Sequence, residues 1–231
     1  MLKRHYFIGN FIFNLKEVIC LDTEIIHHIK DVLKLKEGEE VMLCDGQGKA
    51  AIVKIEKIDK KEINFFVRNF LPSAVNDKKI VLYAALLKRD SFEWLLQKAT
   101  EAGVSEIVPI VSERTVKIGL NEKRWQKIIK EAAEQSQSLI LPKLHQIQNF
   151  KEAVKNKNGI GVFFDPAGED IKNVKINDSI ISLFVGPEGG WTDKEIQLCR
   201  DSGLDFVNLG TSILRAETAA TVAVYLAKNL F

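Results

Sequence analysis

The sequence predicts an α/β fold, in which a parallel sheet covered by helices is preceded by a small β-rich module. Two patterns carry this prediction. From Ile80 onwards, short apolar runs of strand length alternate with segments of helical spacing, which is typical of a parallel sheet. Before residue 71, short strand-like runs are separated by turns, which is typical of a small barrel.

The β-rich module occupies residues 1 to about 70 in this interpretation. Apolar side chains at helical spacing predict a helix over Glu24–Lys34, and Asp45-Gly46-Gln47-Gly48 indicates a hairpin turn. The opening YFIGNFIFNL is interpreted as strand and extended chain, because two asparagines interrupt it and no signal-peptide cleavage site follows. Further strands of the module are predicted at residues 40–44, 50–58 and 62–69.

A polar segment separates two predicted domains. Residues 71–79 (LPSAVNDKK) contain a proline and several polar side chains, as linkers do. The predicted domains are therefore residues 1–71 and 76–231. In the second domain, strands are predicted at residues 80–87, 106–111, 160–164, 180–185 and 206–209, and helices at residues 91–102, 123–139, 192–202 and 216–229.

Two of these helices have sequence signals at their ends. Asp90 is the predicted N-cap of the first helix, with Glu93 as its capping-box partner and Gly103 as its C-terminal stop. Thr192 and Glu195 have the same capping-box spacing before the third helix. The glycine-rich segment at 186–190 therefore leads into a helix whose start is fixed by its own residues.

The composition excludes several classes of protein. The chain has 231 residues, of which 46% are hydrophobic and 28% charged, and its net charge is +2. Overall charge therefore does not indicate nucleic-acid binding, and any such site must be a local patch. The cysteines and histidines lack the spacing of a disulfide framework or a zinc site, and no apolar run is long enough to span a membrane. We predict a cytoplasmic protein without a bound metal.

Two loops remain as candidate sites, because the motifs of P-loop enzymes, zinc peptidases, serine hydrolases and Rossmann dehydrogenases are absent from the sequence. The first loop, GPEGG at 186–190, has glycines that leave backbone N–H and C=O groups uncovered. The second lies in LGTSILRAETAA at 209–220, where apolar Ile213 and Leu214 precede Arg215 and Glu217. Such loops suit a flat, neutral heterocycle such as adenine. The spacing of GPEGG fits an ordinary strand-to-helix turn equally well.

These loops resemble the signature loops of the SPOUT methyltransferases. The chain as a whole resembles the RsmE family, whose members methylate N3 of a uridine in the 16S (small-subunit) ribosomal RNA. The matching motifs follow the family's order: KRHYF at 3–7, His28 with VLK at 32–34, DG at 45–46, KATE at 98–101, SER at 112–114, Trp125 with EAAEQS at 131–136, and the two loops. The departures are Gln137-Ser138 for a usual Gly-Arg, Lys34 for a usual Arg, and Ala102 for a usual Leu.

The resemblance implies a fold, a cofactor and partners. The implied fold is a SPOUT-type parallel sheet with a C-terminal trefoil knot, preceded by a PUA-like β-barrel domain. The implied cofactor is S-adenosylmethionine, the substrate is ribosomal RNA within the assembled or assembling small subunit, and the enzyme is a homodimer. Two alternatives stay open: ribose 2′-O-methylation by another SPOUT enzyme, and a non-catalytic RNA-binding protein of the same fold.

Roles for individual residues follow from the resemblance and from local basic clusters. Arg215 is predicted to stabilise negative charge on a uracil carbonyl, and Glu217 or Glu188 is predicted to accept a proton or to order its loop, with loop ordering expected for Glu188. Arg215 and Glu217 are thus the predicted catalytic residues. The predicted cofactor-binding residues are Val185, Gly186, Pro187, Glu188, Gly189, Gly190, Leu209, Gly210, Ser212, Ile213, Leu214 and Arg215. The predicted RNA contacts are Arg4, His5, His28, Lys34, Lys88, Arg89, Arg114, Arg124 and Gln135.

Overall fold

The chain divides into two compact units. The computed structural model describes residues 4–72, 78–115, 121–176 and 178–229. Unit 1 comprises Met1–Val75 and Ala133–Leu141, and unit 2 comprises Asn76–Ala132 and Pro142–Phe231. A short central segment, residues 133–141, thus belongs to unit 1, although the residues on both sides of it belong to unit 2. The predicted linker at 71–79 lies largely outside the described residues.

Unit 1 is built on a five-stranded sheet with the strand order β1-β3-β4-β5-β2. Neighbouring strands are antiparallel except β1 and β3, which are parallel. The predicted helix is shorter than expected, because α1 passes into a π-helical turn at His28–Val32 and Lys34 then has a φ angle of 54°. The elements are β1 (Tyr6–Ile8), β2 (Glu17–Cys20), α1 (Thr23–His27), β3 (Glu40–Cys44), β4 (Ala50–Ile58) and β5 (Ile63–Phe70).

One face of this sheet packs against α1 and the π-helical turn. Phe7, Ile29, Val41, Ile55 and Phe65 are almost completely buried in that core. The side chains along β4 and β5 alternate between this core and the outer face, as expected for a sheet with one buried face. The predicted strands at 40–44, 50–58 and 62–69 are confirmed as β3, β4 and β5.

Segment 133–141 completes unit 1. The Tyr6 hydroxyl donates to the Ser138 carbonyl at 2.7 Å, and the Ile8 amide donates to Glu134 Oε1 at 2.8 Å. The Gly48 amide donates to the Leu139 carbonyl at 2.9 Å. Burial raises the pKa of Tyr6 well above its ordinary value, so this phenol stays a hydrogen-bond donor.

Unit 2 contains a parallel sheet of seven strands in the order β12-β10-β11-β6-β7-β8, with β9 also paired to β7. Every strand pairing described in this sheet is parallel. The strands are β6 (Lys79–Ala85), β7 (Glu106–Val111), β8 (Lys143–Leu144), β9 (Gln148–Asn149), β10 (Ile160–Asp170), β11 (Ile180–Val185) and β12 (Asp205–Asn208). The helices are α2 (Arg89–Glu101), α3 (Glu122–Ser136), α4 (Phe150–Lys155), α5 (Asp193–Asp201) and α6 (Ala216–Asn229).

Helices cover both faces of the parallel sheet, as the alternating pattern predicts. On one face, α6 packs against β6 and β11 and also contacts α2. On the other face, α4 and α5 pack over an aromatic core in which Tyr83 and Phe184 are stacked with ring centroids 4.5 Å apart. The strand interiors are apolar on both sides, because neither face is exposed to water.

Three local predictions are corrected by the structure. Helix α2 begins at Arg89 with Lys88 as its N-cap, so Asp90 lies in the first turn and is not the N-cap. Helix α3 ends at Ser136 rather than at residue 139, because Gln137 adopts a φ angle of 56° and leaves the helix. Strand β10 continues to Asp170 through an irregularity in its pairing with β12.

Two other local predictions, both at helix ends, are confirmed. Gly103 follows α2 with a φ angle of 91°, as a C-terminal stop requires. Thr192 and Glu195 form both hydrogen bonds of the capping box at the start of α5. Among the described residues, no helix combines the length and apolarity needed to cross a bilayer. Within the same ranges, no group of three or more His, Cys, Asp or Glu side chains is arranged to hold a metal ion.

Candidate active site at the carboxyl edge of the parallel sheet

The two candidate loops lie at the same edge of the sheet. The first loop follows β11 and the second follows β12, and both strands pair in parallel with β10. Phe163 of β10 is in register with Phe184 of β11 and with Phe206 of β12, so all three strands run side by side. The loops are therefore separated by a single intervening strand, or about 10 Å at the usual strand spacing. The carboxyl edge is where open α/β sheets bind ligands.

The first loop is compact because glycine is required within it. A Cβ atom at Gly186 would lie 2.8 Å from Cε2 of Trp191, so a side chain has no room there. The Gly190 amide donates to the Pro187 carbonyl at 2.9 Å, which closes a turn. Gly190 has a φ angle of 68°, and a Cβ atom added there would meet nothing within 4 Å. The backbone at Gly190 is therefore bare on its outer side.

Trp191 anchors the first loop to the end of β10. Its Nε1 donates to the Phe164 carbonyl at 3.2 Å, and 8% of the residue is exposed. Its ring lies 4.8 Å from the ring of Phe150 and 4.9 Å from the ring of Phe163. Ring contacts and a satisfied indole N–H together fix the side chain. The loop thus begins at β11 and is held against β10.

Two side chains also tie the first loop to the end of β7. Arg114 Nη1 donates to the carbonyl of Gly189 at 2.8 Å and to that of Trp191 at 3.2 Å. Glu195, which is 5% exposed, accepts a hydrogen bond from the Glu113 amide at 2.9 Å through Oε1. Its Oε2 completes the capping box with the Thr192 amide at 2.8 Å. Every oxygen of this buried carboxylate is therefore hydrogen-bonded, as burial of a charge requires.

Glu188 lies at the exposed tip of the first loop. Its Oε1 accepts a hydrogen bond from the Lys88 amide at 3.4 Å. Lys88 is the N-cap of α2 and makes no side-chain capping bond, so the Glu188 carboxylate takes the place of a cap. The negative charge also interacts favourably with the amino end of the helix. This contact fits the loop-ordering role expected for Glu188.

The second loop is organised by Asn208. Its Oδ1 accepts a hydrogen bond from the Gly210 amide at 2.9 Å, and its Nδ2 donates to the Gly168 carbonyl at 2.6 Å. Gly210 has a φ angle of 108° with nothing near its open side. Ile213 is 90% exposed, so this loop presents an apolar side chain to solvent at the carboxyl edge.

The two predicted catalytic residues lie where the second loop enters α6. The Arg215 carbonyl accepts a hydrogen bond from the Ala219 amide at 2.8 Å, so this residue begins the helix. The Arg215 side chain is exposed, and Glu217 is half-buried in the first turn. The Arg215 guanidinium is therefore available to bind a negatively charged ligand group beside the second loop, and the Glu217 carboxylate follows two residues later.

In unit 2, three predicted RNA-contacting arginines bind groups of their own unit. Arg114 holds the first loop. Arg124 donates to both oxygens of Glu93 at 2.6 and 2.7 Å, and Arg89 donates to the same carboxylate at 3.2 Å. The hydrogen bond from Arg124, with a further one from Arg89, holds the pKa of Glu93 below its ordinary value. Glu93 is thus an arginine-binding residue, not the capping-box partner that its spacing predicts.

In unit 1, two of the predicted RNA contacts have partners within the unit. Arg4 donates to Glu40 Oε2 at 2.9 and 3.1 Å, and the rings of His28 and Phe7 are nearly perpendicular with their centroids 5.7 Å apart. The exposed members of the predicted set are His5, His28, Lys34 and Gln135 in unit 1 and Lys88, Arg89, Arg114 and Arg124 in unit 2.

Sequence reasoning missed two residues that shape the second loop. Asn208 stands two positions before Gly210, and this spacing is the signal of an Asx turn. Gly168 is needed because a Cβ atom there would lie 2.5 Å from the Val207 amide nitrogen. No local signal marks Gly168, because the contact joins β10 to a strand far along the chain.

Comparison with known proteins identifies the family. The profile of the RNA methyltransferase domain matches residues 75–228, and that of the RNA methyltransferase PUA domain matches residues 21–67. The chain belongs to the RNA methyltransferase family. The first match includes both candidate loops and the second includes β3 and β4, so each unit of this methyltransferase has a recognised counterpart.

Relatives of this methyltransferase match along nearly its whole length. A ribosomal RNA small subunit methyltransferase E of Synechocystis is 33% identical over 225 residues, covering 91% of this chain and 72% of the relative. The crystal structure of a methyltransferase of the same name from Neisseria gonorrhoeae, bound to S-adenosylmethionine, has a TM-score of 0.91 at 27% identity and covers 99% and 98% of the two chains. A Legionella pneumophila protein solved with the same bound cofactor has a TM-score of 0.87 at 26% identity, with coverage of 98% and 97%.

The predicted fold class is confirmed. The parallel sheet of unit 2 is that of a SPOUT methyltransferase, and the sheet of unit 1 is PUA-like. The threading of the chain in a trefoil knot stays a prediction, since the order of strands in the sheet does not decide it. The assignments of individual catalytic, cofactor-binding and RNA-contacting residues also stay predictions.

Proposed function

We propose that this protein transfers a methyl group from S-adenosylmethionine to N3 of a uridine in the small-subunit ribosomal RNA. The observation that carries the proposal is the pair of loops on either side of β10, each with a bare glycine backbone at the carboxyl edge. Relatives that match 86–91% of the chain are named ribosomal RNA small subunit methyltransferase E, and two similar structures hold S-adenosylmethionine.

The residues of the two loops fit a nucleoside cofactor. Open space beside Gly190 and Gly210 leaves room for a ligand to approach the backbone closely. The 90% exposed Ile213 offers an apolar surface that a flat heterocycle would cover. The residues that would hold the cofactor are the predicted set in 185–190 and 209–215. Bound there, S-adenosylmethionine would supply an activated methyl group.

The residues around that site must position the target base and manage its proton. Uridine N3 carries a hydrogen that must leave for a methyl group to bond there, so negative charge develops on the uracil ring. Arg215 is the cation at the start of α6 that would stabilise this charge on a carbonyl oxygen. Glu217, in the first turn of the same helix, is the candidate proton acceptor. Glu188 is occupied at the start of α2 and would order the first loop.

Ribosomal RNA is the proposed partner. Cationic side chains such as Lys88 and Lys34 would contact phosphates, which contribute affinity and register but no sequence information. The target base would have to leave its stack to reach the two loops. An rRNA substrate within the assembled or assembling small subunit implies that the enzyme acts in the cytoplasm.

The enzyme is proposed to act as a homodimer. Unit 2 exposes two aromatic side chains on helices that pack against each other, Trp94 of α2 at 41% and Tyr225 of α6 at 57%. Exposed aromatic side chains are enriched at protein interfaces. A second copy of the chain is the occupant proposed for them, and sedimentation velocity of the purified protein would measure its mass.

Two alternative functions are considered. The first is methylation of a ribose 2′-hydroxyl, and the second is RNA binding without catalysis. The match of residues 21–67 to a PUA domain of RNA methyltransferases favours the uridine-N3 assignment, because a SPOUT ribose methyltransferase is expected to lack this module. The intact glycines of both loops favour catalysis over silent binding.

Mapping of modified nucleosides tests the proposal. The gene would be deleted from its host, and 16S rRNA digested and analysed for N3-methyluridine by mass spectrometry. We expect a single N3-methyluridine to disappear and to return when purified enzyme and S-adenosylmethionine are added to the undermethylated subunits. Loss of a 2′-O-methyl nucleoside instead would support the alternative reaction, and an unchanged digest would support the silent binder.

A further inference from the structure

The short loop that follows β7 is preorganised to hold an arginine in place. The Ser112 amide donates to Thr115 Oγ1 at 2.9 Å, and the two hydroxyls lie 2.8 Å apart. The Thr115 amide donates a hydrogen bond to the Ser112 carbonyl at 3.2 Å. Because this turn closes on itself, Arg114 at its tip projects from a fixed backbone.

Arg114 binds the backbone on both sides of Gly190 in the first loop. One guanidinium nitrogen, Nη1, binds the carbonyl of Gly189 and the carbonyl of Trp191, which lie on either side of Gly190. The aliphatic stem passes beside the same segment, since a Cβ atom added at Gly189 would be 3.3 Å from Cβ of Arg114. The contact therefore restrains the backbone on both sides of Gly190, a residue that otherwise has wide conformational freedom.

The neighbouring residue supplies a second tie between the same two loops. The Glu113 amide donates to the buried carboxylate of Glu195, which also caps α5 through Thr192. The start of α5 is thus fixed by Glu113, and the glycines before it are fixed by Arg114. Arg114 itself is exposed, so its hydrogen bonds add little to global stability but do limit local motion.

We propose that Arg114 is a positioning residue, which holds Gly189 and Gly190 in the conformation that binds the cofactor. This role deepens the proposed function and rests on it, and it replaces the RNA contact predicted for Arg114 from its charge. A loop that is already ordered loses less conformational entropy when a ligand binds. Loss of the Arg114 contact therefore weakens cofactor binding and leaves RNA affinity intact.

Three variants of the full-length protein test the role. Arg114→Ala removes both hydrogen bonds, Arg114→Lys keeps the charge but not the planar donor group, and Lys194→Ala removes an exposed cation from the first turn of α5 as a control. The first measurement is amide hydrogen exchange of Gly190 without ligand, by NMR on protein with 15N-labelled glycine. The second is calorimetric titration with S-adenosylmethionine. The third is affinity for a small-subunit rRNA fragment without cofactor.

We expect Arg114→Ala to speed exchange at Gly190 and to weaken S-adenosylmethionine binding roughly five- to tenfold. Arg114→Lys should recover part of both effects, and Lys194→Ala should match the wild type. RNA affinity and its dependence on salt should be the same in all four proteins. A fall in RNA affinity with unchanged Gly190 exchange would overturn the inference and restore the phosphate-contact role.

The design separates failure of this inference from failure of the proposed function. If the wild type does not bind S-adenosylmethionine, the proposed function is wrong, while Gly190 exchange still shows whether Arg114 orders the loop. If the wild type binds and Arg114→Ala binds equally well, the positioning role is wrong and the proposed function stands. A melting temperature for each variant shows whether an affinity change merely follows global destabilisation.

Discussion

Gly190 and Gly203 form a matched pair that isolates the role of the first loop. Their φ angles are 68° and 69°, and a Cβ atom added at either glycine would meet nothing within 4 Å. An alanine at either position therefore costs only the strain of a left-handed residue, about 1–2 kcal/mol. Gly190 belongs to the proposed cofactor loop, whereas Gly203 follows the end of α5. We expect the two alanine variants to lose similar stability and only Gly190→Ala to lose cofactor affinity.

Thermal unfolding without ligand and calorimetric titration with S-adenosylmethionine would measure the two effects. The comparison needs no correction for stability, because the control variant carries the same backbone strain. Equal weakening of cofactor binding by Gly203→Ala would show that strain alone is responsible and would remove Gly190 from the site.

Arg215→Ala tests the predicted catalytic role. The backbone carbonyl of Arg215 keeps its hydrogen bond to the Ala219 amide in this variant, so the start of α6 is retained. Loss of a cation that stabilises developing charge commonly lowers turnover roughly 100- to 1000-fold. We expect turnover to fall by that order while cofactor affinity changes far less. Single-turnover methyl transfer and calorimetry would measure both, with the exposed Arg200→Ala of α5 as the control. Unchanged turnover in Arg215→Ala would exclude the role.

The residue-level predictions succeeded where the partners are close in sequence. The capping box of Thr192 and Glu195 spans three residues, so its pattern is visible before folding. The second bond of the same carboxylate, from the Glu113 amide, spans 82 residues and has no local signal. Arg114 shows the same limit, because its charge suggests RNA and only the fold brings it to Gly189.

At the scale of elements, Glu106 at the start of β7 contacts a residue at the start of β6 and a residue just after β8. Its carboxylate contacts Lys79 Nζ of β6 at 2.6 Å and His145 Nε2 at 2.8 Å, and 17% of its side chain is exposed. Burial by itself raises the pKa of Glu106, but the hydrogen bonds from Lys79 and His145 outweigh burial and lower that pKa below its ordinary value. The ionised form is thus stabilised by folding.

This depressed pKa fixes the sign of a pH dependence. The stabilising contribution is present above the pKa of the unfolded glutamate, about 4.3, and is lost as pH falls through the lower folded-state pKa. We expect Glu106→Gln to lower the free energy of unfolding at pH 7 by about 1–3 kcal/mol, and the difference from the wild type to narrow below about pH 4. Urea unfolding at several pH values would measure it. The control is Glu131→Gln, whose carboxylate is 62% exposed and 3.9 Å from Lys127, and a pH-independent loss would contradict the prediction.

The predicted boundaries of α2 and α3 were wrong at ends where a distant part of the chain makes contact. The local pattern predicts Asp90 as the N-cap of α2, but Glu188 supplies the carboxylate from 100 residues away and the helix begins earlier. The pattern also extends α3 to residue 139. In the structure the helix stops at Ser136, Gln137 leaves it with a φ angle of 56°, and Ile140 then forms a β-bridge with Gln47. The spacing of apolar residues carries no signal of either distant contact, that of Glu188 with Lys88 or that of Gln47 with Ile140.

At the scale of the whole molecule, the sequence predicts two modules in series but not the return of the chain to the first. Segment 133–141 belongs to unit 1, while the residues on both sides of it belong to unit 2. Composition and periodicity change at residues 71–79, and the predicted boundary rests on that change. The end of α3 has the same pattern as its middle, and only packing against Tyr6 and Ile8 assigns it to unit 1.

This shared segment predicts that damage to unit 1 destabilises unit 2. Tyr6→Phe removes the buried hydrogen bond to the Ser138 carbonyl and should cost about 1 kcal/mol. The tryptophans are Trp94, Trp125 and Trp191, so their fluorescence reports unit 2 alone. Because α3 contributes to both units, we expect the fluorescence transition to move down by about 2–4 °C together with the far-UV circular dichroism transition. A fluorescence transition that stays in place while the circular dichroism splits in two would show that the units unfold independently.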